Sequence, residues 1–152
     1  MAVLSWGKPT IQYADLSNGY PSQESDWHDF PVPVQGTTTL DTAEGDSVQA
    51  LEEGGGVVDA YTNKSQFTLT FELFEKKGES QPIMDDDGVV IKNYAIRLIP
   101  EDPTCTGFEM AKVSMTYRHT WNAADGGRHV YTATALVPDD KGKMLRPYIK
   151  QS

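Results

Sequence analysis

The sequence predicts an all-β fold, or a mainly β fold with one short helix, arranged as an antiparallel β-sandwich or barrel of about seven or eight strands. Apolar and polar residues alternate over several short runs, as is typical of half-buried antiparallel strands. Clusters of Gly, Pro, Asn and Asp separate these runs and favour turns. No stretch shows apolar spacing over three helical turns. The chain has 152 residues, the size of one ordinary domain, so we expect a single domain over residues 1–152.

The clearest strand prediction covers residues 66–73, QFTLTFEL, in which every second residue is apolar. Residues 111–118 repeat this alternation, and residues 128–137 are rich in β-branched and aromatic side chains. Between the last two runs, Asp125 is followed by two glycines, a combination that strongly favours a turn. These two runs are therefore predicted to form one long hairpin.

Three weaker strands are predicted over residues 31–40, 57–61 and 89–99. The last of these ends at Pro100, because proline cannot donate a hydrogen bond to a neighbouring strand. A short helix could lie within residues 79–87, where Pro82 suits the first helical turn.

Two segments fit a compact body poorly. Residues 41–56 are polar and end in three glycines, which predicts a long projecting loop or a flexible hairpin. Connections of that length are commonly functional or disordered. The second segment, residues 17–30, is similarly polar but carries Tyr20, Trp27 and Phe30. Separately, residues 138–152 are predicted to form an extended C-terminal tail.

Charge is distributed unevenly along the chain. There are 22 acidic and 13 basic residues, for a net charge of −9. Residues 9–63 contain no Lys or Arg, whereas residues 141–152 contain basic residues and no acid. The net charge argues against binding of nucleic acid through a basic patch. The pattern fits either an ordinary solvated surface or a head-to-tail assembly, in which the acidic surface of one copy meets the basic surface of the next.

No catalytic residue, metal site or cofactor is predicted. His119 and His129 flank the predicted turn and could face each other across paired strands. Zinc would then need Asp125, yet structural zinc sites usually have four closely spaced ligands, so we interpret these as surface histidines. The acidic run that begins at Asp85 fails as a calcium loop, because Ile96 stands where the bidentate Glu is required.

Two other functional classes remain open. Exposed aromatic rings on a β-sandwich could bind carbohydrate or another ligand, and the candidates are Trp6, Tyr13, Tyr20, Trp27 and Trp121. A small hydrolase would need an acid–base pair drawn from His28, Asp29, His119 and His129.

The features that concern localisation predict a protein without a membrane anchor. The chain has a single cysteine, Cys105, which excludes a disulfide framework within one copy and suits synthesis in a reducing compartment. The first residues show no signal-peptide pattern, and no run of 18 apolar residues predicts a membrane helix.

In four features, the sequence resembles the major tail tube proteins of long-tailed bacteriophages and their relatives in contractile tube systems. They are the threonine-rich GTTTLDTAEGD at residues 36–46, the glycine-led GGVVDAYTNKSQFTLTFELF at residues 55–74, the closing hairpin, and the ending YTATALVPDDKGKML at residues 131–145. The resemblance spans roughly residues 31–147.

This resemblance implies a β-sandwich or barrel with a small helix, whose copies form six-fold rings that stack into a hollow tube. DNA would pass through an acidic lumen without specific binding. The partners would be the chain itself and other tail proteins, and the protein would belong to a phage or prophage virion tail, made in the bacterial cytoplasm. Residues 41–56 stand where such proteins contact the adjacent ring. The expected contacts between subunits are Asp41, Glu44, Asp46, Glu52 and Glu53, and, in the tail, Lys143, Arg146 and Lys150.

Overall fold

The computed structural model describes residues 7–16, 27–138 and 142–149. These residues form ten β-strands and no helix, which confirms the all-β prediction. The strands are β1 (Thr10–Asp15), β2 (His28–Asp29), β3 (Thr39–Ala43), β4 (Ser47–Leu51), β5 (Val57–Thr62), β6 (Gln66–Phe74), β7 (Tyr94–Ile99), β8 (Gly107–Asn122), β9 (Gly126–Ala135) and β10 (Arg146–Tyr148).

Eight strands belong to one antiparallel sheet. Its order is β2-β1-β7-β8-β9-β6-β3, and β10 pairs with β8 beside this path. Strands β4 and β5 form a separate two-stranded sheet. The predicted hairpin of residues 111–137 is present as β8 and β9.

The long strand β8 changes neighbours along its length. Its first part pairs with β7, and its second part pairs with β9 from Val113 onwards. Two steps along β7, from Tyr94 to Ile96, match three along β8, from Val113 to Met110. A bulge of this kind bends a strand and increases its twist. The sheet therefore folds into two layers that face each other, as in a β-sandwich.

The core lies between these layers. Alternate residues of β6 and β9 point inwards, with Phe71 directly across from Tyr131 and both fully buried. Phe30 follows β2 and lies between the layers, its ring 4.6 Å from that of Tyr13 and 5.0 Å from that of Phe71. Aromatic contacts at these distances stabilise a core beyond the burial of apolar area.

Residues 79–87 do not form the short helix that the sequence allowed. The Tyr131 hydroxyl donates to the Ile83 carbonyl at 2.8 Å and accepts from the Ile83 N–H at 3.2 Å. Both backbone groups of Ile83 are thus used by a side chain, and neither is available for a helical turn. The segment instead covers the core as an irregular connection.

Two of the weaker strand predictions are only partly correct. In residues 31–40 only the last two belong to a strand, β3, because Pro31 and Pro33 cannot donate to a ladder and Gly36 has a positive φ of 76°. In residues 89–99, regular pairing begins at Tyr94, and Val89 makes only isolated bridges. Strand β1 was not predicted, although it lies next to β7 in the main sheet.

We expect the substitution Phe71→Ala to lower the free energy of unfolding by about 3–5 kcal/mol, because it leaves a cavity among the core aromatics. Phe74→Ala is the matched control on the same strand, where the side chain is 45% exposed. Chemical denaturation of both variants measures the difference. Equal losses in the two variants would contradict this account of the core.

Candidate functional site

Strands β4 and β5 form a hairpin that stands apart from the main sheet. We call residues 46–63 the projecting hairpin. The Asn63 N–H donates to the Asp46 carbonyl at 2.9 Å and closes its base. Gly45 lies so close to the other side of the hairpin base that a Cβ atom on it would collide with the Asn63 carbonyl. The predicted projection is therefore a paired hairpin that also includes residues 57–62, and not a loop limited to residues 41–56.

Every residue of β4 and β5 is exposed. Five of them are large apolar residues with exposed fractions between 42% and 62%: Val48, Leu51, Val57, Val58 and Tyr61. A two-stranded hairpin alone is marginally stable in water. Contiguous exposed apolar surface in a soluble protein commonly marks an interaction site. The projecting hairpin is thus the strongest candidate for a docking surface.

The predicted acidic contacts lie at three levels of this region. Asp41 belongs to β3 and pairs with Thr68 on the body of the protein. Glu44 and Asp46 lie at the base of the projecting hairpin, and Glu52 and Glu53 lie at its turn. Four of these acids lie within or beside the projecting hairpin, which contains no Lys or Arg, whereas Asp41 belongs to the main sheet.

The three predicted basic contacts lie in different places. Lys143 lines a groove of about 460 Å³ together with Lys64, and Phe67, Met144 and Leu145 also line it. Arg146 belongs to β10, where it stands opposite Glu109 of the same chain and donates from Nε to the Lys143 carbonyl at 3.1 Å. Lys150 lies outside the described residues. The described part of the C-terminal segment thus folds back onto β8 and is not an extended tail.

A second candidate lies at the β8–β9 end of the sheet. His119 pairs directly with His129, as predicted, and their ring centroids are 5.7 Å apart. The Nε2 of His119 lies 2.7 Å from a carboxylate oxygen of Glu75, and the Nδ1 of His129 shares a hydrogen bond of 2.5 Å with the Tyr117 hydroxyl. We call these four residues the histidine cluster.

From the sequence alone, Asp125 is a candidate for a further metal ligand beside these histidines. In the structure it instead makes hydrogen bonds within the turn between β8 and β9. It accepts from the Asn122 side-chain amide at 3.1 Å, and its own N–H donates to Asn122 Oδ1 at 2.7 Å. Glu75 takes its place beside His119. It follows β6, and its N–H donates to the Gly127 carbonyl at 3.0 Å. Only strand pairing joins residues so far apart in sequence, so no local pattern could have identified Glu75.

Hydrogen bonding and burial shift the pKa values in the histidine cluster. The hydrogen bond from His119 holds the pKa of the Glu75 carboxyl below its ordinary value. Burial lowers the pKa of His129 from 6.5, although the negative charges of Glu75 and Asp85 act in the opposite direction. His129 is therefore mainly neutral at pH 7.

The described aromatic candidates for ligand binding occupy three different environments. Tyr13 packs inside against Phe30. The Trp27 ring centroid lies 4.2 Å from the guanidinium carbon of Arg97, a cation–π contact on the outer face of the sheet. Trp121 is 69% exposed near the turn between β8 and β9. Trp6 and Tyr20 lie outside the described residues, so the described members form no common platform.

The hydrolase candidates separate into two groups within the described residues. His28 and Asp29 form β2, where the His28 ring contacts Tyr13 and Asp29 accepts from the Gln12 amide at 2.5 Å. His119 and His129 belong instead to the histidine cluster. The structure therefore keeps His28 and Asp29 apart from His119 and His129, and the acid beside His119 is Glu75, which was not among the predicted candidates.

Among the residues that the structure describes, no group of three or more His, Cys, Asp or Glu is arranged to hold a metal ion. The same part of the chain contains no helix with the length and apolar character needed to cross a membrane. In comparisons with known proteins, no family and no curated protein matches this chain.

We expect the wild-type protein to lose stability as pH falls below about 6.5, partly because His129 has a lower pKa when folded than when unfolded. Below that pH the unfolded chain binds more protons at this residue, which favours unfolding. His129→Gln should reduce this loss, and His28→Gln is the control. Denaturant midpoints between about pH 8 and pH 5.5 measure it. An unchanged pH dependence in His129→Gln would contradict the assignment.

Proposed function

We propose that this chain is a structural subunit that assembles with copies of itself into rings and a hollow tube, as in a phage or prophage tail. The observation that carries the proposal is the projecting hairpin. It exposes apolar side chains on both strands, whereas the main sheet has a buried core. Burial of such a surface against a second copy would supply the favourable free energy of association.

The direction of this contact is head to tail. The projecting hairpin is acidic and contains no Lys or Arg, whereas the groove beside Lys143 is basic, so the contact joins two different patches. Contacts of this heterologous type produce rings when the rotation closes and open filaments when it does not. A stacked tube of rings needs both kinds of growth.

The charges of the described residues support a contact between the acidic hairpin and a basic groove on another copy. The turn of the hairpin carries Glu52 and Glu53, and Asp59 lies on β5. The groove that contains Lys64 and Lys143 combines positive charge with apolar lining. Opposite charges steer association and select the correct partner surface. At roughly 3.3 Å per strand residue, the hairpin turn lies about 20 Å from its base, beside which Lys64 lines the groove. Contact between the turn and this groove would therefore be made with another copy.

The same charge balance suits passage of DNA. A net charge of −9 makes a wall built from this chain repel phosphate, so DNA would move through a tube without adhering to it. Such a role requires assembly and not catalysis, and we propose no enzymatic activity. The same architecture would also serve a tube in a related injection or secretion machine.

Removal of the projecting hairpin should prevent assembly and leave the body folded. Gly45 and Lys64 are close enough for a Cβ atom at Gly45 to contact the Lys64 carbonyl at 2.8 Å, so a short Gly-Ser linker can replace residues 46–63. Removing residues 44–56 alone would leave β5 without its partner. We expect rings or tubes of the full chain in negative-stain electron microscopy, and monomers with cooperative unfolding for the variant.

The control for this experiment is Ile91→Ser, which removes an apolar side chain that is 81% exposed elsewhere on the surface. It should assemble like the full chain. Tubes formed by the hairpin deletion would refute the docking role. A full chain that stays monomeric at all concentrations and salt strengths would refute the assembly proposal itself.

Charge-reversal substitutions should test each side of the proposed contact in turn. The pair Glu52→Lys and Glu53→Lys should block assembly, as should the pair Lys64→Glu and Lys143→Glu, because each places like charges together. One chain with all four changes should assemble again. The pair Lys76→Glu and Lys77→Glu is the matched control on another exposed connection. Failure of all four changes together to restore assembly would place the receptor elsewhere.

A further inference from the structure

The paired imidazoles at the β8–β9 end of the sheet have a geometry that serves neither the core nor the projecting hairpin. His119 and His129 are directly opposite each other, and their ring planes are inclined by 34° at a centroid distance of 5.7 Å. When two imidazoles bind one transition metal ion with bonds of about 2.0–2.1 Å and an angle of about 90–120° at the ion, their centroids lie roughly 4.5–5.5 Å apart. The observed distance is slightly larger, so a small rotation of the side chains would bring both rings onto one ion.

Each ring also has an outer partner on one nitrogen. The Nε2–H of His119 donates to Glu75, which leaves Nδ1 of that ring with a lone pair. When Nδ1–H of His129 donates to the Tyr117 oxygen, Nε2 of His129 has the lone pair. Histidines that bind metals commonly use the second ring nitrogen in this way, and the outer partner fixes the tautomer and the ring orientation.

From this arrangement we infer that His119 and His129 bind one divalent transition metal ion, with Glu75 and Tyr117 as positioning residues. The described residues offer no third protein ligand in a suitable arrangement, so water completes the coordination. A site made of imidazole nitrogens prefers Cu²⁺ over Zn²⁺ and Ni²⁺ by the general order of divalent affinities.

The electrostatic surroundings favour a cation at this point. The carboxylates of Glu75 and Asp85 both act on His129. Asp85 is held in place by hydrogen bonds from the Gln81 amide at 2.8 Å and the Gly88 N–H at 2.7 Å. Metal binding requires an unprotonated imidazole nitrogen, and the outer partners of the two rings leave one such nitrogen on each. The free energy of unfolding therefore rises when the ion is bound.

The first experiment titrates untagged full-length protein with CuCl₂ and then ZnCl₂ in a non-coordinating buffer, by isothermal calorimetry and by thermal unfolding. We expect one Cu²⁺ per chain, tighter binding of Cu²⁺ than of Zn²⁺, and a higher Tm with the ion. Binding should weaken as the pH is lowered, because protons compete with the ion for the imidazole nitrogens.

Single variants test the assignment of ligands. His119→Ala should abolish binding, and this residue is exposed, so the variant keeps the core intact. Glu75→Gln should lower the affinity about tenfold without changing the number of sites, as expected of a positioning residue. His28→Ala, which alters the third histidine of the chain, should bind like the wild type.

Wild-type affinity in His119→Ala, or loss of binding in His28→Ala alone, would overturn the inference. Absence of any Cu²⁺ binding by the wild type would overturn it as well. Electron microscopy of the same variants keeps this result separate from the assembly proposal, because His119→Ala leaves the projecting hairpin unchanged. Assembly with lost metal binding would support both proposals independently.

Discussion

The bend of β8 is the constraint on which the rest of this structure depends. One continuous strand supplies both layers of the sheet, pairing first with β7 and β10 and then with β9. The bulge near Met110 lets it do so, and the facing layers enclose Phe71 and Tyr131 between them. The position of each of the two candidate sites follows from this arrangement, because one lies at the far end of β8 and the other beyond the edge strand β3.

Burial divides the molecule into parts with different roles. The body has a continuous apolar core, and Tyr131 even satisfies the backbone of the connection that covers it. The projecting hairpin has no core of its own, so its apolar side chains are only partly removed from water in a single copy. Exposed apolar surface of this kind lowers solubility, a cost that burial against the proposed partner copy would remove.

The histidine cluster shows how strand register produces chemistry. The pairing of β8 with β9 brings His119 opposite His129, and the pairing of β9 with β6 then adds Glu75 at the same level. Gly127 has no side chain, and a Cβ atom there would collide with the Glu75 carboxylate. The small residue opposite Trp121 therefore provides the space that the acid occupies beside the imidazole.

The sequence by itself determined the fold class, the strands β6, β8 and β9, and the opposition of the two histidines, because alternation with a period of two and turn residues such as Asp125 are local signals. Only the tertiary structure decided the rest. It paired β1 with β7 and β10 with β8, and it paired residues 57–62 with β4 outside the main sheet. It also brought Glu75, and not Asp125, beside His119. These outcomes depend on contacts between distant residues, whose energies no local pattern contains.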